Sequence, residues 1–190
     1  MRLPVLALVC TASLGLGATG ALAAASRTVA VRDAKGDVAG PVDLQRVSLS
    51  RGGDGRLRFS VTLVAPLSPR DLLADAGPPG AVCLRVWTAP DADPASTRPD
   101  RLVCVTARSA TALRASVLQQ TGSGLPRRTG SASVRATKSA RSLIVRVSQS
   151  ALGRPQRIRF AGESTRPGCD GATCMDTVPD AGATRTFRLR

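Results

Sequence analysis

Along most of the chain, apolar and polar residues alternate with a period of two. In 57–63, Leu57, Phe59, Val61 and Leu63 share one side while Arg58, Ser60 and Thr62 share the other, the pattern of a strand with one buried and one wet face. The stretch 42–50 alternates too, but Val42 and Leu44 are out of phase with Val47 and Leu49, so a register shift is expected near Arg46. Gly52, Gly53, Asp54 and Gly55 lie between these runs. Such a glycine-rich turn predicts that the two strands are adjacent and antiparallel.

The same period marks strands over 28–31, 81–87, 101–107, 112–118, 131–136, 142–147, 156–160 and 184–189, separated by clusters of Gly, Pro, Asp and Ser. Only 69–76 and 149–153 read as single helical turns, and 90–99 reads as a polar, turn-rich loop. Many short strands without long helices predict an all-β domain, an antiparallel β-sandwich of jelly-roll-like form. No internal repeat or interdomain linker interrupts it.

The first 25 residues break the pattern. Arg2 precedes an apolar run that ends in small residues, and Ala21-Leu22-Ala23 and Ala25 suit signal peptidase. This predicts a cleaved signal peptide over 1–25, a single mature domain over 26–190, and a secreted, extracellular protein. Thr11, Ser13, Gly15, Gly17, Thr19 and Gly20 interrupt the apolar run and no second apolar span follows, so no transmembrane anchor is expected after cleavage. Cys10 follows Val9, which does not fit a lipid-attachment motif.

Export changes the meaning of the cysteines. Cys83, Cys104, Cys169 and Cys174 remain in the mature chain, an even number that favours disulfides in an oxidising compartment. Of the three pairings, Cys83 with Cys104 and Cys169 with Cys174 are favoured, because the first two lie in neighbouring apolar runs and the second two flank a short turn. Neither a Cys-x-x-Cys knuckle nor any histidine supports zinc.

The formal net charge is +14, and nearly all the basic residues are arginine; Lys35 and Lys138 are the lysines. A surface of this sign attracts polyanions. Much of the arginine alternates with apolar residues, as on the solvated side of a sheet. Arg127, Arg128, Arg135 and Arg146 are candidates for an arginine-rich module binding anionic cell-wall polymers. Specific nucleic-acid recognition is not expected, since aromatic stacking residues are scarce.

The absence of histidine and tyrosine removes Ser-His-Asp and Cys-His catalysis and histidine-ligated metals. Glu163 is the single glutamate, and Trp87, Phe59, Phe160 and Phe187 are the aromatics. A non-catalytic protein is therefore expected; the enzymatic alternative is an unfamiliar hydrolase using Asp37, Asp176 or Asp180.

Two acidic groups stand out against this basic background. Asp33 and Asp37 precede Asp43, and Asp176 and Asp180 follow the second cysteine pair. If the groups meet, Asp33, Asp37, Asp43, Asp176 and Asp180 could surround a calcium ion, which takes six to eight oxygen ligands. The alternative is that these aspartates cap turns or pair with arginines.

The Asp33-x-x-Gly36-Asp37 turn, the spacer to Asp43-Leu44, the strand with Leu57, Phe59, Val61 and Leu63, and the Asp176-Thr177-x-Pro179-Asp180 segment together resemble secreted DOMON-like, carbohydrate-binding-module-like β-sandwiches of high-GC Gram-positive bacteria. The resemblance implies an accessory or ligand-binding domain with a structural calcium near the N-terminal Asp turn. The chain departs from sugar binders in its few aromatics: only Trp87 could serve as a platform, and its place at the end of an apolar run favours the core. The haem known in some such relatives is not expected, because an axial histidine is missing and only Met1 and Met175 offer sulfur. The reading is a non-catalytic exported β-sandwich, binding or envelope-associated.

Overall fold

The computed structural model describes residues 28–33, 38, 40–91, 95–122, 124–169, 174–180 and 183–189. The expected signal peptide lies outside the described residues. Among the described residues eleven strands follow in chain order: β1 (Thr28–Arg32), β2 (Leu44–Arg51), β3 (Leu57–Leu63), β4 (Ala81–Trp87), β5 (Arg101–Ser109), β6 (Ala112–Gln119), β7 (Arg127–Ala136), β8 (Ser142–Val147), β9 (Arg157–Thr165), β10 (Met175–Val178) and β11 (Arg185–Arg188). Single 3-10 turns occur at Pro69–Leu72 and Ser150–Leu152, inside the two segments expected to be helical.

All strand pairs are antiparallel, in the order β1-β2-β3-β8-β7-β6-β5-β4-β9-β10, with β11 also on β9. β2 and β3 are adjacent, and the register between them shifts between Leu44 and Arg46, as the phase change in the apolar pattern requires. Two halves of this order, β1-β2-β3-β8 and β6-β5-β4-β9-β10, are joined through β7. β7 gives its first half, through Ala132, to β6 and its second half, Ser133 to Ala136, to β8. The result is one antiparallel sheet nearly closed into a barrel.

The inward positions are the apolar members of each alternation. Leu44, Val47, Leu49, Leu57, Phe59, Val61, Val82, Leu84, Val103, Val117, Val145, Ile158 and Phe160 all enter a single core. Phe59 of β3 and Phe160 of β9 meet across it edge to face, ring centroids 6.4 Å apart, a favoured aromatic geometry.

β10 is the strand that the periodicity does not reveal. It is four residues long, and its alternation is broken because an aspartate, Asp176, occupies a buried inward position. That aspartate lies at the seam where β9 and β10 meet β2. The Asp176 carboxylate accepts a hydrogen bond from the Leu44 backbone N–H. Ser164, directly opposite Asp176 on β9, donates its hydroxyl to the Val42 carbonyl at 2.6 Å.

Gly162 makes the close approach feasible. A Cβ there would sit 2.5 Å from Val178 Cγ1 and 2.6 Å from Val47 Cγ2, well inside contact distance. Gly162→Ala is therefore expected to overpack the seam and lower the unfolding free energy by about 1–3 kcal/mol, measured by urea denaturation. An unchanged midpoint would show that β2 and β10 are not in contact over this glycine.

Candidate functional site

Opposite the core, the outward positions of β1, β2, β3, β8 and β7 build a polar face. Cross-strand register sets its rows. One row runs Thr28, Ser50, Arg58, Arg146, Ser133; the next runs Ala30, Ser48, Ser60, Ile144, Arg135; the third runs Arg32, Arg46, Thr62, Ser142. Two arginine pairs are thus directly opposed across neighbouring strands: Arg32 with Arg46, and Arg58 with Arg146. Like charges in that position repel and destabilise a sheet.

Among the described residues, no ion pair joins either couple to an acid. Arg32, Arg46, Arg58, Arg135 and Arg146 are all exposed. Among the described residues, the ion pairs are made instead by Arg85 with Glu163 and by Arg157 with Asp91, none of which belongs to the three rows. The hydroxyls between the arginines are half-buried.

The face is furrowed. A depression of about 490 Å³ is lined by Arg32, Asp33, Gln45, Arg46 and Thr62. A second, about 250 Å³, shares Arg46 and Thr62 with it and continues over Ser48, Ser50, Ser60 and Arg58. A third, about 290 Å³, shares Arg58 and holds Arg146, Arg56 and Asp54. Together they run obliquely across the strands from one arginine pair to the other, with one carboxylate, Asp33 or Asp54, at each end.

Of the arginines singled out from sequence, Arg135 and Arg146 belong to this face. Arg127 and Arg128 do not, because they lie on the part of β7 paired with β6, past a register shift at Val117 and Leu118. Arg32, Arg46 and Arg58 were not singled out. Each occupies a polar position of an alternating strand, but only strand register shows which arginines become neighbours.

The acidic groups are partly brought together. Asp43 and Asp176 are both buried, and Asp176 is bonded to the residue that follows Asp43. Asp33 is half-buried at the end of β1 and Asp180 is exposed; Asp37 lies outside the described residues. Among the described residues no three acids gather closely enough to hold a cation, and the Asp176 carboxylate already closes the seam. Asp43 and Asp176 are thus the two members of the expected calcium set that the fold brings near one another.

The outward face of β4, β5 and β9 has a different fate. Cys83 and Cys104 are directly opposed on β4 and β5 and form a disulfide, and Cys169 is joined to Cys174, the pairing favoured from sequence. Trp87 is buried, as expected, but not in the core: it lies on the outward side of β4, with the Arg85 and Arg159 guanidinium groups each 5.3 Å from its ring centroid. Those arginines donate to the carbonyls of Thr97 and Ser96. They tie the segment after β4 across the ring.

The chain matches no family model and no curated protein. What the fold and face define is an all-β antiparallel protein with two disulfides, consistent with an oxidising compartment. Among the described residues no helix is long and apolar enough to cross a membrane.

Glu163 faces Cys83 across β9 and β4. Burial raises its pKa above the ordinary carboxylate range, and Arg85 at 3.7 Å opposes that rise. An acid with a raised folded pKa holds its proton more tightly folded than unfolded, so its stabilising contribution is present at low pH and lost as pH climbs from the ordinary range through the raised value. Glu163→Gln is accordingly expected to gain stability relative to the parent across that rise, read from denaturation midpoints at successive pH values. A difference that stays flat with pH would contradict the burial assigned to this carboxyl.

Proposed function

We propose that the protein is a non-catalytic, exported binding protein that docks on polyanions through the outward face of β1, β2, β3, β8 and β7. The observation that carries the reading is the pair of directly opposed arginine couples, Arg32–Arg46 and Arg58–Arg146. Each couple costs stability through like-charge repulsion, and an anion laid between the two guanidinium groups converts that cost into binding. Arginine suits the role because its planar fork can hold phosphate, sulfate or carboxylate through two hydrogen bonds at once.

Anionic cell-wall polymer is the partner this reading selects for an exported chain. Neither calcium nor haem has a part in it. The burial of Asp176 and its engagement with Leu44 commit one of the acids of the hydrolase alternative to the fold, which favours the binding reading.

The opposed geometry gives a test in which stability and binding move in opposite directions. The double variant Arg46→Glu, Arg58→Glu turns both repulsive couples into Arg–Glu pairs. Its thermal midpoint should equal or exceed that of the parent, while its affinity for purified anionic wall polymer at low salt should fall at least tenfold. The salt dependence of binding should flatten as well, because fewer counterions are displaced. Unchanged affinity in the folded variant would place binding elsewhere; Arg127→Glu, Arg128→Glu is the control, with a smaller effect.

A further inference from the structure

The polyanion reading leaves open which class of polymer the face accepts, and the arrangement of the rows restricts it. The pattern repeats about a local two-fold axis normal to the sheet, passing between Ser48 and Ser60. Rotation exchanges Arg46 with Arg58, Arg32 with Arg146, and Ser50 with Thr62, given the observed register. The arginine couples are therefore diagonal to each other. Arg46 and Ser50, which mark their rows on β2, are four residues apart, about 14 Å of strand, and the couples are offset sideways by two strand spacings, about 10 Å. Centre to centre the separation is about 17 Å by the same strand geometry.

Among the described residues, the face positions between the couples carry no charge. The central row carries Ala30, Ser48, Ser60 and Ile144 before it reaches Arg135 at its far end. Among the described residues the hydroxyls of Ser48, Ser50 and Ser60 are engaged by no protein group, and they line the middle depression of the oblique trough. A serine hydroxyl both donates and accepts, so this floor complements other hydroxyls, not anions. None of the face positions is aromatic, so unstacked bases would find no platform.

We infer that the trough holds one strand of a polyol phosphodiester chain, laid diagonally, with a phosphate at each arginine couple and the intervening hydroxyl-bearing units on Ser48, Ser50 and Ser60. The inference rests on the polyanion reading and adds to it a ligand class, a direction and a minimum length. A chain that reaches both couples makes its second contact intramolecularly and gains avidity; a shorter one does not.

Calorimetric titration of the full mature protein with poly(glycerol phosphate), with a glycerol phosphate dimer too short to span the couples, and with single-stranded DNA tests it. The long chain should bind at least tenfold more tightly per phosphate than the dimer, and more tightly than DNA of equal charge. Ser48→Ala, Ser60→Ala should weaken the long polyol phosphate severalfold while leaving DNA and dextran sulfate unchanged. Equal affinity for polyol phosphate and DNA, no effect of the serine variant, or no dependence on length would overturn the inference while the polyanion reading stands. Failure to bind any of these polymers would remove both.

Discussion

The fold depends on a carboxylate placed where the alternation calls for an apolar side chain. Asp176 points inward from β10 and accepts the Leu44 N–H at the start of β2, joining the two ends of a long antiparallel sheet. Burying a carboxyl group is costly unless it is hydrogen-bonded, and the Leu44 N–H supplies such a bond. Ser164 and the side-chain-free Gly162 complete the seam. These contacts draw β2 against β9 and β10 and bring the sheet close to closing on itself.

Closure divides the molecule into an inside and two unlike outsides. The inside is a single apolar core in which Phe59 and Phe160 meet from opposite walls. On one outer face, Trp87, the Cys83–Cys104 disulfide and the Arg85–Glu163 pair lie together, and arginine hydrogen bonds hold the following segment over the ring. The other face keeps its arginines exposed and lets them oppose each other. Positive charge that a sheet could have neutralised with acids is left available there, and this contrast between the two faces is what gives the polyanion reading its physical content.

The sequence states the local structure well and the neighbourhood poorly. Leu57, Phe59, Val61 and Leu63 announce their strand, the phase change near Arg46 announces a register shift, and the cysteine spacing announces the disulfides, because each signal is confined to one or two adjacent segments. β10 is hidden because Asp176 breaks its short alternation. The approach of the Asp176 segment to Asp43 was legible as the meeting of two acidic groups, but the bond of the Asp176 carboxylate to the Leu44 backbone was not, since no side-chain pattern marks a backbone donor. The Arg58–Arg146 couple is invisible in one dimension, since β3 and β8 are distant in sequence and only their pairing sets one guanidinium against the other.

Residue-resolved chemical-shift mapping of the folded protein during titration with wall polymer tests most directly whether the uncovered outer face is the binding surface. The account expects perturbations to concentrate on the outward residues of β1, β2, β3 and β8, strongest at Arg46, Arg58 and the serines between them, with Trp87 and Arg159 undisturbed. Perturbations centred on Trp87, or spread evenly over all the arginines, would contradict it.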